Sequence, residues 1–299
     1  MNILVLGGMG FLGTRLVQEL SKNHMVCVAD CIEGAFQNYY KVNVSDTDTI
    51  INIIKEKKIQ VIMHLISSLL PASGIEQFFF DIQNIYIPSL ALLNYCAENR
   101  VKFVYFSSGG AIYGNQKEVF NECTKREPVS YYGLSKLNFE NAIAFFHNTK
   151  ELEYLIIRPS NPYGYGQNIY GKQGIIAVII GKILKNESLQ IWGDGSAVKD
   201  FIYIDDFVFY VASMIECNAA WNQTFNIGTG MGISVNEILE IFRENNIPLP
   251  KIEYIAESKA DINHMVLDCT KVQKMFPHTL VPLKVGIKAF WDRIIKKID

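Results

Sequence analysis

The stretch NILVLGGMGFLG at residues 2–13 limits what this chain can fold into more than any other. An apolar, strand-like run passes directly into glycines at 7, 10 and 13. A helical pattern follows, with Phe11, Leu12, Leu16 and Leu20 on one face and Arg15 and Glu19 on another. Small residues in such a turn allow tight curvature and close backbone approach to a pyrophosphate, whose charge the helix N-terminus favours. Tight turns and helix packing use the same residues, so context decides. Here the second strand-like run, MVCVAD, ends on Asp30, where an acid can bond a ribose diol. A carboxylate there repels a 2′-phosphate, and the next residue is Cys31 rather than an arginine. The cofactor expected from these residues is NAD, not NADP.

The same alternation continues. Strands are expected at 2–7, 25–30, 60–65, 102–107 and 152–158, with helical patterns near 11–22, 46–57, 76–99 and 132–147. This order predicts an α/β chain built on a Rossmann-type, doubly wound parallel sheet covered by helices. The second half is less regular. NPYGYGQNIYGKQG (161–174) reads as a long loop, followed by a helix over 174–186 and a short strand LQIWG. The runs 201–215 and 224–230 read as a helix and a strand returning to the main sheet. The expected organisation is an NAD-binding domain over 1–163, with 200–228 returning to it. A smaller C-terminal α/β substrate-binding lobe is expected over 164–299.

Charge narrows the partners. With 28 basic and 30 acidic residues the net charge is −2, and no basic run extends beyond Lys55, Lys57 and Lys58 at an expected helix end. Neither nucleic acid nor membrane insertion is expected. The six cysteines form no CxxC or Cys/His cluster of metal spacing, so no metal is expected and a reducing cytoplasm is the simplest setting. The chain opens straight into a strand-like run, without a charged leader.

Chemistry enters at Ser130-Tyr131-Tyr132-Gly133-Leu134-Ser135-Lys136. Tyr132 and Lys136 are four apart and share a helix face. An ammonium beside a phenol favours the phenolate, which makes the pair an acid/base for an alcohol or sugar hydroxyl. With GGMGFLG, FSSGGAIYG, YYGLSK, RPSNPYG (158–164), WGDG followed by KDFIYIDD (192–206), and FNIGTG (225–230), the chain resembles the extended short-chain dehydrogenase/reductase family. Its nucleotide-sugar epimerases are the nearest in pattern.

The resemblance implies roles. Tyr132 is the base for a sugar 4-hydroxyl, and Lys136 binds the nicotinamide ribose and holds the tyrosine pKa down. The implied cofactor set is Gly7, Gly10, Phe11, Leu12, Gly13, Asp30, Asn43, Val44, Leu65, Ser107, Tyr132 and Lys136. The implied substrate set is Ser108, Gly109, Tyr132, Asn161, Gly174, Trp192, Gly193, Lys199 and Lys259. Departures are visible too: Asn43 replaces an acid near the adenine, Ile87-Pro88 interrupts a helix, and Lys199 and Lys259 stand where arginines grip the diphosphate. The family hydroxyl four residues before Tyr113 is replaced by Gly109. Either Ser108 reaches the sugar oxygen from one residue earlier or Tyr132 works with less help. Ser108 is favoured over Ser107, whose side chain should point to the opposite face.

Dehydratases of the family carry an acid just before the VYG-like tripeptide, whereas Gly110 and Ala111 have no proton to give. The resemblance therefore implies NAD-dependent C4 epimerisation of a UDP-hexose or UDP-N-acetylhexosamine through a 4-keto intermediate. The alternatives are an NAD-dependent oxidoreductase that releases a keto product and a non-catalytic NAD-binding sensor. A homodimer through helices 76–99 and 132–147 is also implied.

Overall fold

The computed structural model describes residues 1–115, 119–171, 173–256 and 264–298. The first half runs β1 (Asn2–Leu6), α1 (Phe11–Leu20), β2 (Met25–Asp30), β3 (Tyr39–Lys41), α2 (Thr47–Glu56), β4 (Val61–His64), α3 (Ile75–Asp81), a π-helical turn (Ile82–Tyr86), α4 (Ile87–Asn99), β5 (Lys102–Phe106), α5 (Gly109–Ile112), α6 (Tyr131–Lys150) and β6 (Tyr154–Pro159). The second half runs β7 (Asn161–Tyr163), α7 (Ile175–Lys185), β8 (Leu189–Trp192), β9 (Val198–Tyr203), α8 (Ile204–Glu216), β10 (Gln223–Ile227), β11 (Gly232–Ser234), α9 (Val235–Glu244), β12 (Ile252–Ile255), β13 (His264–Met265), α10 (Thr270–Met275) and α11 (Leu283–Ile298). By packing, these elements form two compact units. One comprises Met1–Gly114, Arg126–Arg158 and Val208–Phe225; the other comprises Asn115–Lys125, Pro159–Phe207 and Asn226–Asp299.

The first unit carries a seven-stranded sheet in the order β10-β6-β5-β4-β1-β2-β3. The ladders joining β6, β5, β4, β1, β2 and β3 are all parallel. The chain winds outward from β1 in both directions, so the order reverses between β1 and β4, and ligands bind beyond the strand ends at such a point. Its strands are continuous apolar runs because helices cover both faces. Leu4, Leu6, Cys27, Ile62, Leu92, Phe103 and Phe139 belong to one of the resulting cores. This is the Rossmann-type sheet that the strand–helix alternation predicts.

Four local features differ from the expectation, the first being β7, a three-residue strand at the start of the stretch 161–174 expected as a loop, which pairs with β9. The three-residue β3 extends the sheet edge beyond β2. The run expected as a helix over 201–215 is instead the end of β9 followed by α8, and β9 lies in the other unit's sheet. No glycine or proline separates the two elements; the mark of the junction is the pair Asp205 and Asp206, acids in the first turn of α8 where a helix N-terminus favours negative charge. Pro88 does not end its helix. Proline lacks an N–H and crowds the carbonyl four residues back. The preceding π turn, in which the Ile87 N–H bonds the Ile82 carbonyl, changes the register just before it, and α4 continues to Asn99.

The second unit is built around β9. This strand pairs antiparallel with β11 and parallel with β7 and β13, while β8 and β12 form a separate parallel pair. Asp200 on β9 is fully buried. Its carboxylate accepts from the Thr229 N–H (2.9 Å), the Thr229 hydroxyl (2.8 Å) and the Gly230 N–H (3.0 Å), which fixes the loop after β10 to the sheet.

Candidate functional site

The glycine turn after β1 is shaped by close approach. Gly7 has φ +81°, a left-handed conformation that favours glycine. A Cβ on Gly13 would lie 2.5 Å from the Gly7 carbonyl oxygen and 2.7 Å from the Gly8 Cα, so α1 rests directly on the turn. Gly10 caps α1 without a side chain, and Phe11 and Leu12 open its first turn, leaving that end to the backbone N–H groups. Asp30 at the end of β2 is tied to the same turn, its Oδ2 accepting from the Met9 N–H at 2.9 Å and its Oδ1 from the Ile32 N–H at 3.3 Å. A Cβ-free cradle, an open helix N-terminus and an oriented carboxylate together fit a dinucleotide. Asn43 spends its side-chain oxygen locally, accepting from the Ser45 N–H and hydroxyl at 3.0 Å each. Its neighbour Val44 is buried in the core. The N–H of Leu65 bonds the Leu6 carbonyl, prolonging the β1–β4 ladder by one residue.

Helix α6 presents the second group. Ser130 caps it, accepting from the Gly133 N–H at 3.1 Å, and sets Tyr132 and Lys136 in its first two turns. Lys136 is buried, donates to the Phe106 carbonyl at 2.8 Å and stands 5.1 Å from the Tyr105 ring and 5.8 Å from the Tyr132 ring. Gly133 is obligatory: a Cβ there would come within 2.3 Å of the Ala111 carbonyl oxygen. That contact locks α6 against the short α5, which begins at Gly109.

The two serines of FSSGG separate cleanly. Ser107 prolongs β5, its N–H bonding the Ile157 carbonyl, and its buried hydroxyl makes no hydrogen bond among the described residues. Ser108 sits in extended conformation ahead of α5, and its hydroxyl does not cap that helix. It hydrogen-bonds the Tyr132 side chain instead. Gly109 is buried and offers only backbone.

The electrostatics depart from one expectation. Burial pushes the Tyr132 phenol up, and the opposing influence is the Ser108 hydroxyl. Desolvation of the phenolate outweighs that hydroxyl in this arrangement. Lys136 is itself lowered to about 8, because burial penalises its ammonium more than Asp81 and Glu140 favour it.

In the second unit, Asn161 on β7 donates to the Asp200 carbonyl at 2.8 Å, and Lys199 lies on the adjacent β9, opposite Ile233 and Met265. Gly174 precedes α7 with φ +80°. Trp192 at the end of β8 is 57% exposed, and Gly193 turns the chain after it with φ +70°. Trp192 and Gln190 line a groove of about 530 Å³ together with Tyr170, Lys182 and Lys185. Lys259 lies outside the described residues.

Three polar groups near the reactive helix escape a reading by motif. Glu140, one turn beyond Lys136, is buried and pairs with Arg158 (2.6 and 3.0 Å), which also donates to the Tyr113 hydroxyl at 2.8 Å. His64 is buried against Ser89 (2.8 Å). Asp81 is buried and accepts from Ser68 (2.6 Å) and Ser135 (2.7 Å). Their signal was available: Asp81, His64 and Arg158 are lone polar residues inside the apolar runs FFFDI, VIMHLI and YLIIRP. Among the described residues no group of His, Cys, Asp and Glu could hold a metal ion, and no helix is long and apolar enough to cross a membrane.

Comparison with known proteins bears on this geometry. The sequence model of the NAD dependent epimerase/dehydratase family matches residues 3–228. The solved UDP-glucose 4-epimerase of Thermotoga maritima, crystallised with UDP-glucose, superposes over 100% of both chains with TM-score 0.92 and 30% identity. That of Thermus thermophilus, in complex with NAD, gives TM-score 0.89 and 25% identity over 99% of each chain. A dTDP-4-dehydro-6-deoxyglucose reductase of Escherichia coli is 29% identical over 99% of this chain and 97% of its own. The glycine turn, Asp30 and the Tyr132–Lys136 helix thus sit in a chain that belongs to the NAD-dependent epimerase/dehydratase family, with NAD as its cofactor.

Proposed function

We propose that the chain is a nucleotide-sugar 4-epimerase acting on a UDP-hexose or UDP-N-acetylhexosamine. The observation that carries this reading is the Ser108–Tyr132 hydrogen bond beside the buried Lys136 ammonium, with no carboxyl group between Ser108 and Tyr113. Bound NAD supplies the hydride acceptor and donor. Tyr132 takes the proton of the sugar 4-hydroxyl and returns it, and Ser108 holds that oxygen in line. Lys136 binds the nicotinamide ribose and supplies positive charge below the phenol. Gly110 and Ala111 have no proton to offer a leaving hydroxyl, which disfavours dehydration.

Gly7, Gly10, Gly13 and Asp30 hold the dinucleotide in this reading, and Asn161, Trp192, Gly193 and Lys199 the nucleotide diphosphate. Similarity to the Thermotoga enzyme supports a uridine carrier. The exposed Phe79, Phe80 and Phe145 support a homodimer through α3–α4 and α6, and six free cysteines support a cytoplasmic setting. The full-length match to the Escherichia coli reductase favours a second reading, an oxidoreductase acting on a keto sugar.

The test is incubation with UDP-, dTDP- and GDP-sugars, separating products by chromatography while following NADH absorbance. Interconversion of C4 epimers without net NADH is expected, with Tyr132→Phe slower by about 10²–10⁴-fold. A stoichiometric NADH change would favour the reductase. A 4-keto-6-deoxy product, or no turnover of any sugar, would overturn the epimerase.

A further inference from the structure

Beside Lys136 the first unit has a small polar cavity of about 20 Å³, lined in part by His64, Asp81, Ser135 and Lys136. That volume admits one water molecule. Buried polar groups this dense are costly unless each is satisfied, so their arrangement is informative. The Asp81 carboxylate does not pair with the ammonium directly. One oxygen accepts from Ser68 and the other from Ser135, the residue immediately before Lys136. Lys136 spends one donor on the Phe106 carbonyl, leaving further N–H groups toward the cavity.

We propose that Asp81 is a positioning residue for Lys136: its carboxylate, held by Ser68 and Ser135 across a one-water cavity, sustains the lysine's positive charge beside Tyr132. The inference rests on the assignment of Tyr132 and Lys136 as the acid/base pair.

The groups facing Lys136 leave Asp81 a distinct part. Tyr105 and Phe106 from β5 offer a ring and a carbonyl. His64 from β4 is held neutral, its imidazole lowered to about 3 by burial and by the lysine itself, so it brings no negative charge. Tyr86 from the π turn brings a phenol that burial pushes up, hence neutral. On α6 itself, Tyr132 carries the reacting hydroxyl, and Glu140 already pairs with Arg158 at 2.6 Å. Asp81 is the carboxylate lining the cavity whose partners are uncharged serines. Burial lowers Lys136 and Asp81 is the first influence that raises it, so loss of the Asp81 charge releases burial to act further.

The experiment is a pH titration of the Lys136 side-chain ¹³Cε resonance in the full chain carrying NAD, identified by its loss in Lys136→Arg. The parent midpoint is expected near 8. Asp81→Asn should lower it by about one pH unit or more. Ser68→Ala, which keeps the charge, should leave it near the parent. An unmoved midpoint in Asp81→Asn overturns the proposal, as does an equal shift in Ser68→Ala, which would point to packing rather than charge. If Asp81→Asn does not fold, the parent decides: the Asp81 ¹³Cγ resonance must report a step at the Lys136 midpoint, and a flat trace there overturns the proposal. Neither readout involves turnover. A chain inert toward every sugar would sink the epimerase reading and leave the titration result standing.

Discussion

Asp81 in one unit and Asp200 in the other are both buried carboxylates, and the two are held in different ways. Asp200 accepts two backbone N–H groups and one hydroxyl from the loop after β10. Asp81 accepts from two serine side chains that come from separate segments, and it faces a cavity containing an ammonium. Backbone donors cannot turn away or change partner without unfolding their loop, so Asp200 behaves as a fastening. Side-chain hydroxyls can rotate and can donate elsewhere, so Asp81 can respond to the charge state of its neighbours. Two buried acids of similar exposure therefore point to fold maintenance in one case and to chemistry in the other.

The largest test of this contrast is Asp200→Asn. The amide puts an NH₂ group where three donors converge, at a cost of about 3 kcal/mol in urea or guanidinium unfolding. The Lys136 titration should stay where it is, and a shift there would erase the distinction between the two carboxylates. A second test uses pH. His64 is held at about 3 in the fold against 6.5 in the unfolded chain. A depressed pKa means that the unfolded state binds the extra proton, so its stabilisation is present above 6.5 and is lost as pH falls toward 3. Between pH 6.5 and 5 the parent should lose about 2 kcal/mol through this group. His64→Leu should lack that part of the acid slope, and an identical slope in both proteins would mean that His64 already carries its proton in the fold. The smallest effect belongs to Ser108→Ala. About tenfold slower turnover, near 1.4 kcal/mol, is expected. The Tyr132 phenol should also titrate higher by ultraviolet difference spectroscopy, since the Ser108 hydroxyl is what opposes burial there.

The parallel sheet was legible because its strands are buried on both faces and read as unbroken apolar runs between glycine turns and amphipathic helices. The turn at Gly7–Gly13 and the acid at Asp30 were legible for a related reason: close approach excludes side chains, and that exclusion is written as glycine. What escaped lacks such marks. β3 is three residues of YYK, too short for a period to show. The π turn left only Pro88 as a trace, which argued for a broken helix where the backbone instead changed register. Asp81, Ser68 and Ser135 meet only because a long connection folds back on α6, and no spacing along the chain encodes that meeting. The spacing of Tyr132 and Lys136 was legible, but not the burial of the phenol, which pushes its pKa up and depends on packing from distant segments.

The contact of Gly133 with the Ala111 carbonyl carries a consequence for how such a chain can change over generations. Tyr132 and Ser108 are brought into register by main chain pressed on main chain, and main chain is common to every residue type. Substitutions elsewhere can alter which sugar is admitted without disturbing that registration, so the reaction is inherited while the substrate is open to revision. A mutation at the glycine itself would touch both at once.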